Sequence, residues 1–309
     1  MASGLSRDVP PAKRTCLVTG ATSGIGYETA LGLAKAGARV GIVGRDPGKV
    51  AATAAALTAA VPGAAIDRFV ADLSSQAEIR RLAGEVRAAY PRLDVLVNNA
   101  GAIFDRRETT VDGFERTWAL DHLGYVLLTL ELLDLLKASG LPGAAARIVN
   151  VASAAHTRGR IAFDDLQAER SYGAMRAYSQ AKLGNVLFTY ALARRIAGAP
   201  VTVNALHPGV IDTGFAKNTG GAFGLAWNLI RPFLSTPAAG AATTLHLATA
   251  TAVEGVSGRY FARSREKTSS RYSRDEAVQE RTWAISLEQV GRALIEAWTW
   301  NAGEPCPNV

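Results

Sequence analysis

The chain has 309 residues, of which 48% are hydrophobic and 20% charged, with a formal net charge of +7. That balance describes a globular protein with a sizeable core and excludes a disordered one. The positive charge comes from scattered arginines without a dense basic run, so it marks a solvated surface and not a nucleic-acid interface.

Residues 1–12 read as a polar extension that closes on Pro10-Pro11 and has no apolar signal-type core. No later stretch gives 18 uninterrupted apolar residues, so no transmembrane segment is expected and the protein should be soluble and cytoplasmic. Residues 13–309 suit one α/β domain with insertions. Cys16, in an apolar run, and Cys306, in the tail, are not expected to form a disulfide. His122, His156, His207 and His246 have no metal-ligand spacing, so no metal site is expected.

Thr15–Thr19 is a short apolar run that suits a buried strand. It enters Gly20-Ala-Thr-Ser23-Gly24-Ile25-Gly26, after which a helical pattern runs from Tyr27 to Ala36 and stops at Gly37. Strand, glycine turn and helix together make a dinucleotide cradle. The glycines allow a tight turn close to a pyrophosphate, and the helix N-terminus offers free N–H groups. The bland alternative is an ordinary strand-to-helix loop.

Arg39–Val43 reads as the second strand, ending in Gly44-Arg45-Asp46. An acidic side chain at this strand end would hold a ribose 2′-hydroxyl, whereas Arg45 can pair with a 2′-phosphate, which favours NADP(H) over NAD(H). The alternative is an Arg45 that is solvated or paired with Asp46. A helix over Pro47–Ala60, a strand over Ala65–Val70 and Asp72-Leu73 follow. A helix over Gln76–Tyr90 then precedes strand Leu93–Val97, which ends in Asn98-Asn99-Ala100-Gly101. This alternation specifies a single-domain, Rossmann-type, doubly wound parallel sheet flanked by helices, with ligands at the carboxyl ends of the strands.

Four motifs, Thr19-Gly20-x-x-x-Gly24-x-Gly26, Asp72-Leu73, Asn98-Asn99-Ala100-Gly101 and Tyr178-x-x-x-Lys182, occur in an order that resembles the short-chain dehydrogenase/reductase family. The likeness spans roughly residues 13–262. Asp121-His-Leu-Gly124, Arg147–Val151, Phe163-Asp-Asp-Leu166, Lys182–Thr189 and His207-Pro-Gly-Val210 resemble its retinol-dehydrogenase-like branch. The resemblance implies hydride transfer between a nicotinamide cofactor and a carbonyl or alcohol, often on large apolar substrates. It implies that Asp72 contacts the adenine and that the Asn98–Gly101 segment, with Asn99 and Gly101, stabilises the strands beside the cofactor. Pro208, Gly209 and the residues up to Thr213 are implied to touch the nicotinamide end.

Val149–Ser153 is expected to end the fifth strand, with Ser153 at the position of the family's catalytic serine, where a hydroxyl can hydrogen-bond a carbonyl oxygen as negative charge grows on it. In a helix, Tyr178 and Lys182 stand one turn apart on one face. An ammonium beside a phenol pulls its pKa down from near ~10, so Tyr178 can exchange a proton with an alcohol oxygen. By resemblance Lys182 also holds the nicotinamide ribose.

Val201–Leu206 is expected as a sixth strand. Residues 212–236 carry glycines and aromatics in a pattern that suits an apolar substrate lid; a membrane-surface contact and simple self-packing are the alternatives. Ala238–Thr249 suits a helix and Gly258–Phe261 a last edge strand. In the tail, 263–309, a charged stretch to Glu280 precedes a helix-like segment around Leu287–Trp300, with no assignable chemistry.

Asp121 is the one clear departure from the family, standing where it has a catalytic asparagine whose backbone carbonyl, at a helix distortion, holds a water near the lysine. At an assumed ~7 Å from Lys182 and an effective dielectric near ~20, its charge would be worth on the order of 2 kcal/mol and would oppose a Tyr178 phenolate. The expectation is an NADP-preferring carbonyl reductase or alcohol dehydrogenase acting on a small molecule, as a monomer or homo-oligomer. The rival is a nucleotide-binding sensor or scaffold whose turnover Asp121 has reduced.

Overall fold

The computed structural model describes residues 14–209 and 236–292. The expected N-terminal extension, the lid but for Thr236, and the end of the tail lie outside the described residues. So do Thr213 and the helix-like segment placed around Leu287–Trp300, except for its first few residues.

Strands and helices alternate as the sequence pattern demands. They are β1 (Thr15–Thr19), α1 (Gly24–Lys35), β2 (Arg39–Gly44), α2 (Pro47–Ala60), β3 (Ile66–Val70), α3 (Gln76–Ala89) and β4 (Val95–Asn98). A short α4 (Arg116–Trp118) runs through a π-helical segment, Ala119–Leu123, into α5 (Gly124–Ser139). Then come β5 (Ala146–Val151), α6 (Ala174–Arg195), β6 (Val201–His207), α7 (Pro237–Thr249), β7 (Arg259–Ala262), β8 (Arg265–Glu266) and α8 (Glu276–Gln289).

The sheet order is β3-β2-β1-β4-β5-β6-β7-β8, parallel throughout except for the β7–β8 hairpin. β7 is therefore not the edge strand that the sequence suggests, because the chain turns back at Arg263 and Ser264, both at positive φ, and adds β8. The central strands β1, β2, β4, β5 and β6 are buried on both faces, which is why they read as largely apolar runs. One face packs Leu82 of α3, Leu133 of α5, Leu187 of α6 and Leu287 of α8 in one core. The other packs Leu33 of α1, Leu57 of α2 and Leu247 of α7. Each such leucine contributes about 2 kcal/mol by leaving water.

Among the described residues the tail forms a helix that starts inside the charged stretch and runs to Gln289. Asp275 caps α8 by accepting from Ala277 N and Val278 N, and Trp283 and Leu287 are the buried anchors. Two anchors among many charges give a weak helical signal, whereas a cap and a core contact suffice to fix the helix.

Candidate active site

Because β1, β4, β5 and β6 are adjacent and parallel, Gly20, Asn99, Ser153 and Pro208 leave the sheet at one edge. The connection order reverses between β1 and β4, which opens the crevice where doubly wound sheets bind ligands.

The glycine turn lies on one side of this crevice. Gly20 has φ +64° and Gly24 +55°, a conformation that glycine adopts without strain. A Cβ on Gly26 would stand 2.2 Å from Gly20 O, so only glycine lets α1 pack onto the turn. Ser23 is exposed and Ile25 half-buried, and the Ser23 side chain does not cap α1. The first N–H groups of α1 are thus available to an anion.

Asn99 locks the turn from the neighbouring strand, its Nδ2 donating to Thr19 O at 2.8 Å and Gly20 O at 3.3 Å. Thr19 Oγ1 accepts from Asn99 N at 2.9 Å and Ala100 N at 3.1 Å. Behind them, Asn98 Nδ2 donates to Asn150 Oδ1 at 2.9 Å, and Asn150 Nδ2 to Thr189 Oγ1 at 3.0 Å, a buried ladder joining β4, β5 and α6. These residues fit a dinucleotide.

A Cβ on Gly44 would meet Thr22 Cγ2 at 2.7 Å and Val50 Cγ2 at 2.9 Å, so a ribose-binding carboxylate has no room there. Arg45 is exposed, and Asp46, its nearest candidate partner in sequence, instead caps α2 by accepting from Lys49 N at 3.0 Å. Asp72 Oδ1 accepts from Ser74 N and Ser74 Oγ, and Leu73 is buried beneath it.

Tyr178 and Lys182 are both buried on α6, with the Lys182 ammonium 5.6 Å from the Tyr178 ring centroid. The Ser153 hydroxyl hydrogen-bonds to Tyr178 and also accepts from Ala155 N at 3.2 Å. Ser153 therefore lies two residues past the end of β5, capping the turn that follows instead of ending the strand, and against the tyrosine.

Asp121 departs furthest from expectation. Its Oδ2 is 3.1 Å from Lys182 Nζ, not ~7 Å away, without an aligned hydrogen bond between them. Its Oδ1 accepts from Ala102 N at 2.9 Å. The π-helical turn bulges this residue toward α6, and such single-turn insertions mark functional positions. The Asp121 carbonyl accepts from Asn185 Nδ2 at 2.8 Å, which uses one of its two lone pairs. Gly101 makes room for the pair, since a Cβ there would meet Asp121 Oδ2 at 2.7 Å and Lys182 Nζ at 2.9 Å.

The electrostatics follow from this packing. Burial raises the Asp121 carboxyl to about 6, against the pull of Lys182 and the Ala102 N–H. The Tyr178 phenol is pushed well up, first by burial and then by the Asp121 charge, while the Ser153 hydrogen bond acts the other way. Of the two opposing pulls expected on the phenol, that of the Lys182 ammonium and that of the Asp121 charge, the second prevails. The ammonium that would lower it is paired with a carboxylate at closer range.

Several contributors were not singled out in the sequence. Asn185 holds the π segment through the Asp121 carbonyl, and its place three residues after Lys182, on the same helical face, was a readable signal. Tyr125, buried with its ring centroid 5.2 Å from Lys182 Nζ, carried no comparable signal. His207 Nδ1 accepts from Ala154 N at 3.1 Å and Gly209 N at 3.4 Å, tying the β6 turn to the serine. Pro208 and Gly209 are half-buried there.

The chain belongs to the short-chain dehydrogenase family, whose model, described as short chain dehydrogenase, matches residues 14–222. It is 40% identical to human retinol dehydrogenase 12 over 278 residues, 90% of this chain and 86% of that protein. To human polyprenol dehydrogenase it is 38% identical over 285 residues, 91% and 86% of the two chains. The RhlG/NADP active-site complex of Pseudomonas aeruginosa aligns with a TM-score of 0.66 at 30% identity, over 82% of this chain and 96% of that one. The 3-ketoacyl-(acyl-carrier-protein) reductase of Brucella melitensis, complexed with NADH, gives 0.63 at 27%, over 80% and 95%. The chain is thus an oxidoreductase of the retinol-dehydrogenase-like branch, with a fold that uses a nicotinamide cofactor.

Proposed function

We propose that this short-chain dehydrogenase is an NADP(H)-dependent reductase of an apolar aldehyde or ketone. The single observation that carries the reading is that Ser153, Tyr178 and Lys182 stand together at the crevice edge, with burial favouring the protonated form of the phenol. A protonated phenol beside a neutral hydroxyl suits carbonyl reduction, which needs an acid, better than alcohol oxidation, which needs a base.

Bound in the crevice, the nicotinamide would supply the hydride. Gly20, Ser23, Gly24, Ile25 and Gly26 would hold the pyrophosphate, Arg45 the 2′-phosphate, and Asp72 and Leu73 the adenine end. Asn99, Gly101, Lys182, Pro208, Gly209 and Thr213 would line the rest. Ser153 polarises the substrate oxygen, and Tyr178 gives that oxygen its proton. Lys182 carries the proton supply behind Tyr178, and Asp121 anchors Lys182. The preference for an apolar substrate is supported by relatives named for retinol and polyprenol. We read residues 13–309 as one catalytic unit, cytoplasmic, with 212–236 as its lid.

A screen of aldehydes, ketones and alcohols with NADPH and NADH, followed at the nicotinamide absorbance, tests this reading. Turnover of apolar aldehydes with NADPH is expected; activity confined to NAD+ and alcohols would overturn it. The Asp121–Lys182 pair also favours a second reading, a nucleotide-binding sensor whose lysine is held away from catalysis. Tight NADPH binding without turnover of any carbonyl, with activity restored in Asp121→Asn, would select that reading.

A further inference from the structure

Residues 263–292 lie beyond the stretch that the family model matches, and their sequence suggests no chemistry. In the structure they reach the candidate site. Ser270 N donates to His156 Nε2 at 3.3 Å, and His156 Nδ1 donates to Ser153 O at 2.7 Å. The Ser270 N–H settles the tautomer: Nε2 accepts, so Nδ1 carries the proton. The imidazole is buried, with its centroid 4.8 Å from the Tyr260 ring.

The far end of this relay is itself anchored. Ser273 Oγ donates to Ser270 O at 2.8 Å, and Gln279 Nε2 of α8 donates to Ser273 O at 2.8 Å. Ser269 Oγ lies 2.7 Å from the Tyr190 hydroxyl on α6.

Ser153 needs such support because the β5 ladder has already ended. The last bond from this strand end to β6 is Ala152 N to Leu206 O at 2.8 Å. Beyond it, the carbonyl of Ser153 accepts from His156 Nδ1 at 2.7 Å and, at the longer 3.2 Å, from His156 N in the 3-10 turn that begins there, and the next N–H, Ala154 N, donates to His207 Nδ1. The peptide that follows the serine is held on both sides by imidazoles.

We propose that His156 is a positioning residue through which the C-terminal segment, by way of Ser270, fixes the backbone that aims the Ser153 hydroxyl. The inference rests on the assignment of Ser153 to the substrate oxygen. A displacement of about 1 Å at a catalytic group can cost ~10²-fold in rate, so a relay that holds one backbone carbonyl has kinetic weight. It also gives residues 263–292 a task in this enzyme: they complete the serine side of the site.

The test is a double-mutant cycle on the full chain. His156→Phe keeps a ring against Tyr260 and removes both hydrogen bonds. In the wild-type background, kcat for carbonyl reduction should fall about tenfold or more, while KM and the NADPH Kd stay within about twofold. In a Ser153→Ala background the same substitution should cost nothing further, because there is no hydroxyl left to aim. Amide exchange across 268–274 should quicken in His156→Phe while its thermal melt remains cooperative.

Equal losses in both backgrounds, or an unchanged kcat in His156→Phe, would overturn the proposal. If His156→Phe does not fold, His156→Asn and His156→Gln decide. The Asn amide can stand in for the Nδ1 donor and should keep most of kcat, while Gln should lose it; equal values or the reverse order would overturn the proposal. A Ser153→Ala variant as active as the wild type would remove the underlying assignment, and the proposal with it, whatever His156 does.

Discussion

Asp121 Oδ2 lies 3.1 Å from Lys182 Nζ, and both groups are buried. The ammonium that should favour a tyrosinate is thereby paired with a carboxylate contributed by a π-helical turn. The consequence for Tyr178 is a phenol held more firmly in its protonated form.

Replacing that carboxylate should therefore change the direction the enzyme prefers. In Asp121→Asn the acid limb of kcat/KM for alcohol oxidation should move to lower pH by roughly one unit, with reduction less affected. The effect should be confined to pH above about 6, since below that value the wild-type carboxyl is itself protonated. Matched pH–rate profiles in both directions check this, and superimposable profiles would show that the Asp121 charge does not reach the phenol.

Removing the phenol oxygen isolates the proton donor. Tyr178→Phe should bind NADPH as the wild type does and lose ~10²-fold or more in turnover. Fluorescence titration of the cofactor alongside steady-state rates separates the two quantities. Retained turnover would mean that another group protonates the substrate.

Arg45 is exposed next to a strand end that excludes a carboxylate. NADPH should bind at least about tenfold more tightly than NADH, or ~1.4 kcal/mol, and Arg45→Ala should erase most of that difference. Equal affinities in the wild type would assign Arg45 to the solvated surface.

Gly101→Ala tests how little room surrounds the ion pair. The new methyl would come within 2.7 Å of Asp121 Oδ2 and 2.9 Å of Lys182 Nζ, so one of the two must move. Turnover should drop by about tenfold or more, by disturbing a positioned charge, with a melting temperature lowered by only a few degrees. Wild-type kinetics in this variant would show that the pair can rearrange freely.

His122 should make the fold acid-sensitive. It is fully buried between Asn185 Oδ1 at 3.2 Å and Ser286 Oγ at 2.8 Å, and burial lowers its pKa to about 4. Its stabilisation is present above the unfolded-state value near ~6.5 and is lost as pH falls toward the folded-state value. Between pH 7 and 4.5 the stability gap between wild type and His122→Leu should narrow by on the order of 2 kcal/mol. Urea denaturation at the two pH values measures it, and a gap that does not change would mean His122 is not neutral in the folded state.

The alternation of apolar runs with helical patterns, punctuated by Gly20, Gly24, Gly26 and Gly37, determines a doubly wound sheet and the edge at which its ligands collect. These are local properties: strand burial, turn conformation and helix period are each written in consecutive residues. The one-turn spacing of Tyr178 and Lys182, and the absence of an acidic residue at Gly44, are local in the same way. What only the tertiary structure decided are relations across the sheet edge. The π-helical turn sets Asp121 against Lys182, 61 positions on, and so decides which of the two expected pulls on the phenol prevails. A segment more than 100 residues from Ser153 closes over His156. Such distances are fixed by how α5, α6 and the tail pack on one another, and packing of remote elements leaves no period or spacing in the chain to be read.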